Sequence, residues 1–141
     1  MCLDTKYKEK SIEKYVEKYA DKRGYIIVYK IVAISKYDGY KAAVKICRYN
    51  SGINVATGGL IGWSNILYQA GFHFYTTERR ARVSLQRRGS PWERAKLIRC
   101  RIHKSWITAM GRDGYVGGET VVTKKAIFPS PKNKKAIVKR K

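Results

Sequence analysis

Residues 71–89, GFHFYTTERRARVSLQRRG, and residues 96–107, KLIRCRIHKSWI, together decide the class of fold. After Gly71, Phe72–Tyr75 reads as a short strand. Thr76 or Thr77 then serves as the N-cap of a helix that runs through ERRARVSLQRR to Gly89, a natural residue just past a helix end. In the second stretch Ile98, Cys100 and Ile102 face one way and Arg99, Arg101 and His103 the other, the two-residue period of a strand with one greasy and one basic face. Strand, helix and strand in this order, with further strands on both sides, predict an α+β domain with a mixed or antiparallel sheet.

Working outward, residues 4–21 carry Ile12, Tyr15, Val16 and Tyr19 at helical spacing and predict an amphipathic helix ended by Gly24. It reads as a cap over the sheet, with a docking helix for a partner protein as the alternative. Residues 25–34, YIIVYKIVAI, predict a buried strand, and Asp38-Gly39 a tight hairpin into a second strand at about 40–49. Residues 53–70 fit either a strand plus loop or a short buried helix. Ser90-Pro91-Trp92-Glu93 has the pattern of a capping box, Arg112-Asp113-Gly114 of a turn, and residues 119–128 of a last strand. The expected organisation is an N-terminal helix within residues 1–23, a globular core over 24–128, and a basic flexible tail over 129–141.

Charge divides along the same lines. Residues 1–21 are neutral, so the net charge of +21 belongs to residues 22–141, where 26 Lys and Arg face only Asp38, Glu78, Glu93, Asp113 and Glu119. A domain so unbalanced calls for a polyanion, because each cation placed near a phosphate also releases a condensed counterion. Nucleic acid is the first partner to expect, and an acidic protein or a viral assembly the alternative. No apolar run reaches the length of a membrane span and no signal-peptide core is present, so an intracellular, soluble or virion-associated protein is expected. Cys2, Cys47 and Cys100 are too far apart for a zinc knuckle and read as reduced thiols, Cys47 and Cys100 as small core residues.

The candidate contact surface is rich in Arg, whose planar fork grips phosphate and stacks on bases. It comprises Arg79, Arg80, Arg82, Arg87 and Arg88 on the predicted helix, with Arg99 and Arg101 on the following strand. The tail adds Lys132, Lys134 and Lys135, then Lys139, Arg140 and Lys141, as a diffuse electrostatic anchor. Trp63, Trp92, Trp106 and the tyrosines are candidates for base stacking or for the core. No P-loop, zinc finger, helix-turn-helix or RNA-recognition signature is present, which argues for phosphate contacts without sequence-specific readout. No metal site is expected. His73, between Phe72 and Phe74, must face opposite to both, so it is exposed or in a pocket if they are core. Glu119 reads as a strand-edge carboxylate beside one of the many cations.

Three segments in order resemble the ADP-ribosyltransferase-like fold. Gly71-Phe72-His73-Phe74-Tyr75-Thr76 before a helix, Leu97-Ile98-Arg99-Cys100-Arg101-Ile102, and Gly118-Glu119-Thr120-Val121-Val122 are similar to that family's successive motifs. The resemblance implies an NAD-using transferase in which Glu119 stabilises an oxocarbenium-like ribose, with His73 in the same pocket. The first strand departs from the family's pattern: Val28-Tyr29-Lys30-Ile31-Val32 holds neither the Arg nor the His that grips the dinucleotide. The GFHFYT-helix pattern also resembles small proteins of phages and large DNA viruses. The expectation is thus a small basic nucleic-acid-binding protein, phage- or virus-encoded, without a cofactor. The alternatives are an NAD-dependent ADP-ribosyltransferase-like enzyme and a structural component of a virion or ribonucleoprotein assembly.

Overall fold

Alternating β-branched and aromatic residues dominate the chain, and they form strands. The computed structural model describes residues 3–34, 40–42, 48–56, 60–63, 66–69, 71–87, 95–113 and 118–138. In chain order these give β1 (Leu3–Lys6), α1 (Glu9–Tyr19), β2 (Tyr25–Ile34), β3 (Tyr40–Ala42), β4 (Arg48–Tyr49) and β5 (Gly52–Val55). There follow β6 (Leu60–Trp63), β7 (Ile66–Gln69), β8 (Phe72–Tyr75), α2 (Glu78–Arg87) and β9 (Lys96–His103). The chain ends with β10 (Ile107–Asp113), β11 (Glu119–Thr123), β12 (Lys125–Phe128) and β13 (Ile137–Val138). The α+β expectation holds, and the sheet is antiparallel at every described pairing.

Eight strands run in the order β1-β10-β11-β8-β2-β9-β12-β5; β13 also pairs with β9, β3 with β2 and β4 with β3, while β6 and β7 form a separate hairpin. The longest ladder joins β2 to β9 over eight residue pairs, from Tyr25↔His103 to Val32↔Lys96. Between β2 and β8 the one register pair among the described residues is Tyr29↔Tyr75. The buried Lys30 reinforces that junction by donating from Nζ to the His73 carbonyl at 2.8 Å.

Strand alternation sorts the side chains. Ile26, Val28, Val32, Ile98, Cys100 and Ile102 point to one face and pack with Phe74, Met110, Val121 and Phe128 as the main core, which α1 covers through Tyr15, Ile12 and Val16. Each such side chain removed from water contributes about 1.5–3 kcal/mol. On the opposite face Ile31, Tyr75 and Leu97 lie against Ala81 of α2, with Val138 beside them. Thr77 caps α2, its hydroxyl accepting from the Arg80 N–H at 3.3 Å.

Several expectations require correction. The N-terminal helix does not begin at residue 4, because Leu3–Lys6 is an extra strand on β10 and Leu3 is fully buried against Ala109 and Val122. Nor does Gly24 end the helix: Ala20 does, and Gly24 (φ +88°) makes the turn into β2, its N–H donating to the Asp21 carbonyl. Residues 53–70 hold strands in their described parts, not a helix. The single last strand is two, because the chain bends at Lys124, after which β11 and β12 serve different neighbours in the sheet. The segment after Pro129 is not a free tail as far as Val138: β13 pairs with Leu97 and Ile98, and Ala136 and Val138 are buried. The Asp38-Gly39 turn lies outside the described residues; β2 and β3 on its two sides pair as expected, but the second strand is not continuous over 40–49, since β3 and β4 are separate strands that pair with each other. The Ser90–Glu93 box also lies outside them, while Arg112 and Asp113 remain within β10.

Candidate nucleic-acid interface

The helix α2 covers only one end of its face of the sheet. On β2 the residues of that face are Tyr25, Ile27, Tyr29 and Ile31, and across the ladder they meet His103, Arg101, Arg99 and Leu97 in turn. The Ile31–Leu97 pair is roofed by the α2 cluster, and Tyr29 packs at its margin. The next strands extend the open part, with Ile127 opposite Arg101 and Ile53 opposite Ile127. Ile27, Arg101, Ile127 and Ile53 therefore form one transverse row across four strands.

This row is wet. Ile27 is 52% exposed, Ile53 65% and, one pair along, Val55 58%, opposite Lys125. Three large aliphatic side chains so exposed on one sheet face, interleaved with Arg and Lys, differ from the scattered single exposures that any protein surface carries.

Polar and aromatic groups frame the row. The Arg101 guanidinium lies over the Tyr25 ring at 5.0 Å, and Tyr25 meets His103 edge-on at 5.0 Å and Trp106 at 6.2 Å. His103 is fixed through its two ring nitrogens, one 2.9 Å from the Arg23 carbonyl oxygen and the other 2.7 Å from Ser105 Oγ. Arg99 donates to Glu78 at 2.9 Å and to the Lys135 carbonyl at 3.0 Å, which brings the C-terminal cations to the other end of the face. Beside β2 the ends of α1 and α2 leave a cleft of about 350 Å³, with Tyr19 and Asp21 on one side, Thr77 and Glu78 on the other, and Ile27 and Tyr29 between. The Asp21 carboxyl is held below its usual pKa chiefly by the backbone N–H of Tyr25, with the N–H groups of Arg23 and Gly24 adding to the effect.

The predicted cations are dispersed around this face. Arg79 is exposed on α2, Arg80 and Arg82 are half-buried, and Arg82 pairs with Glu78 at 3.4 Å. Arg87 lies in α2, and Arg88, Lys139, Arg140 and Lys141 are outside the described residues. Arg101 sits in the middle of the open face, and Lys132, Lys134 and Lys135 are exposed in the turn leading to β13. The structure adds what composition did not single out: Tyr25, Ile27, Tyr29, Ile53 and Val55. The parity of YIIVYKIVAI groups the first three on one side, but the reading of that segment as a buried strand is wrong for Ile27.

His73 and Glu119 do not converge. On β8 and β11, His73 is opposite Val122 and Phe74 opposite Val121, so alternation turns His73 and Glu119 to opposite faces, three register positions apart. His73 faces opposite to Phe74 as expected, but it is buried as well, its Nδ1 3.2 Å from the Gly71 carbonyl oxygen, so it is not exposed. Glu119 accepts from Tyr7 Oη at 3.2 Å and Thr76 Oγ1 at 2.9 Å, and burial followed by the Glu119 charge raises the Tyr15 phenol. Cys100 is a free buried thiol pushed up to about 12 by burial, consistent with a core role. Among the described residues no group of three His, Cys, Asp or Glu is placed to hold a metal, and no helix is long and apolar enough to cross a membrane.

No family model matches this chain, and no curated protein and no solved structure is recognisably similar to it.

Proposed function

We propose that this protein binds nucleic acid, mainly through phosphate contacts and without reading sequence. The observation that carries the reading is the open face of β2, β9, β12 and β5, where Arg101 lies over Tyr25 among exposed aliphatic residues and Arg99 meets the Lys135 segment at one end. A net charge of +21 supplies the long-range attraction, and Arg on an ordered sheet supplies directed phosphate contacts. The ADP-ribosyltransferase-like alternative needs Glu119 and His73 in one pocket, and strand alternation separates them.

Fluorescence anisotropy of labelled oligonucleotides across a salt series tests this. The expected result is binding at 50 mM salt that weakens steeply by 200 mM and varies only a few-fold between sequences. Absence of salt-dependent binding at 50 mM overturns it.

A further inference from the structure

We infer that the occupant of the open sheet face is single-stranded RNA, with bases lying on the Ile27–Arg101–Ile127–Ile53 row and a ribose edge entering the cleft between α1 and α2. This rests on the nucleic-acid reading above and goes beyond it in naming the strand state, the sugar and the surface.

Three features lead there. The first is the apolar content of the face. A duplex presents phosphates and groove edges, and exposed Ile27, Ile53 and Val55 have nothing to bury against it. Unstacked bases offer flat apolar faces, which aromatic and guanidinium planes such as Tyr25 and Arg101 also take. The second is size. Four adjacent strands span three interstrand spacings, about 14 Å, the scale on which sheet platforms hold two or three bases.

The third is the sign of the charge in the cleft. Asp21 is an exposed carboxylate at the rim of the cleft on a strongly cationic protein. Its Oδ1 takes the N–H groups of Arg23 and Tyr25, both at 2.9 Å, so its orientation is fixed. An ionised carboxylate repels phosphate and only accepts hydrogen bonds, which suits a group that donates. The donors of the bases are common to RNA and DNA, and the ribose 2′-hydroxyl, the donor that DNA lacks, is the one at the edge of the strand that enters the cleft. Thr77 and Glu78 across the cleft extend the same polarity, while Arg82 and Arg99 offset the Glu78 charge.

The full chain is titrated with a labelled 12-nucleotide single-stranded RNA, the matching single-stranded DNA and the matching duplex. Single-stranded RNA is expected to bind at least about fivefold tighter than single-stranded DNA and about tenfold tighter than duplex. In the Ile27→Ser/Ile53→Ser variant, uncharged changes at two exposed positions, single-strand affinity falls about five- to tenfold and duplex affinity stays within twofold. In Asp21→Asn, which keeps the Oδ1 acceptor, RNA affinity falls about threefold or more and DNA affinity does not. Thermal melts of each variant establish that it folds. Equal or tighter binding of duplex or single-stranded DNA, or folded variants that bind like the parent, overturns the inference and leaves the phosphate-binding reading standing. Binding of none of the three probes overturns both.

Discussion

The guanidinium carbon of Arg101 stands 5.0 Å from the centre of the Tyr25 ring, a diagonal contact, since across the β2–β9 ladder Arg101 is opposite Ile27 and Tyr25 opposite His103. Diagonal neighbours on one sheet face are within reach of long and aromatic side chains. The contact holds the guanidinium over the face, where its charge lies beside an aromatic ring.

Arg101→Ala is expected to reduce the magnitude of the single-strand salt slope by about 0.7, the contribution of one phosphate contact. Arg101 is exposed, so stability changes by no more than about 1 kcal/mol. Anisotropy at four or more salt concentrations and a urea titration measure the two quantities separately. An unchanged slope removes Arg101 from the interface.

Glu78 holds two of the candidate cations, Arg82 at 3.4 Å and Arg99 at 2.9 Å. Glu78→Gln is expected to raise nucleic-acid affinity two- to fivefold at low salt by releasing both. The helix loses a first-turn acid, worth about 0.3–1 kcal/mol, and the partly exposed pairs add little. A melting temperature roughly 2–4 °C lower is expected. A fall in affinity shows instead that these pairs hold Arg99 in its binding geometry.

Val138 is buried in the α2 cluster although it lies nine residues beyond Pro129, in a segment whose composition reads as solvent-exposed. Val138→Ala is expected to cost roughly 1.5–2.5 kcal/mol by chemical denaturation, from lost burial and the cavity left. Lys134→Ala, at an exposed position two residues before buried Ala136, is expected to change stability by less than about 0.5 kcal/mol. Equal effects of the two would place Val138 in solvent.

Alkaline pH exposes a second energetic feature of the core. Burial pushes the Cys100 thiol from its ordinary 9.0 up to about 12, with Lys30 pulling weakly the other way. Above pH 9 the unfolded chain has released this proton and the native chain has kept it. The contribution to stability is therefore complete below pH 9 and falls by about 1.4 kcal/mol per pH unit up to about 12. The Tyr15 phenol, also raised by burial, adds a decline of the same sign above its ordinary 10.0. Unfolding free energies of the parent and Cys100→Val between pH 8 and 11 are expected to diverge from pH 9, with the variant losing less.

The helix of residues 78–87 and the strand of residues 96–103 were legible because each carries its own periodic signal and, for the helix, a threonine cap. The start of α1 was not, since Leu3–Lys6 becomes a strand only through pairing with residues 111–113, more than a hundred positions away. The break at Lys124 escaped for the same reason. Lys124 N–H donates to the Trp106 carbonyl and its own carbonyl accepts from Ala56, partners that local pattern does not contain. For the candidate site, Arg79, Arg99 and Arg101 stood out by residue type, whereas Ile27, Ile53 and Val55 read as ordinary strand residues.

What the amino-acid sequence determined by itself is local or additive: the charge, the alternation along each strand, the helix α2 and its cap, and the class of fold. Tertiary structure alone decided the strand order β2-β9-β12-β5, which aligns Ile27, Arg101, Ile127 and Ile53 in one row. It alone decided that the described part of α2, Glu78–Arg87, lies over Ile31 and Leu97 and not over that row, and that Glu119 and His73 are on opposite faces. The physical reason is that alternation fixes which residues share a side of one strand, while neighbours across strands are set by long-range pairing. Exposure, in turn, depends on where a helix from another part of the chain packs on the sheet.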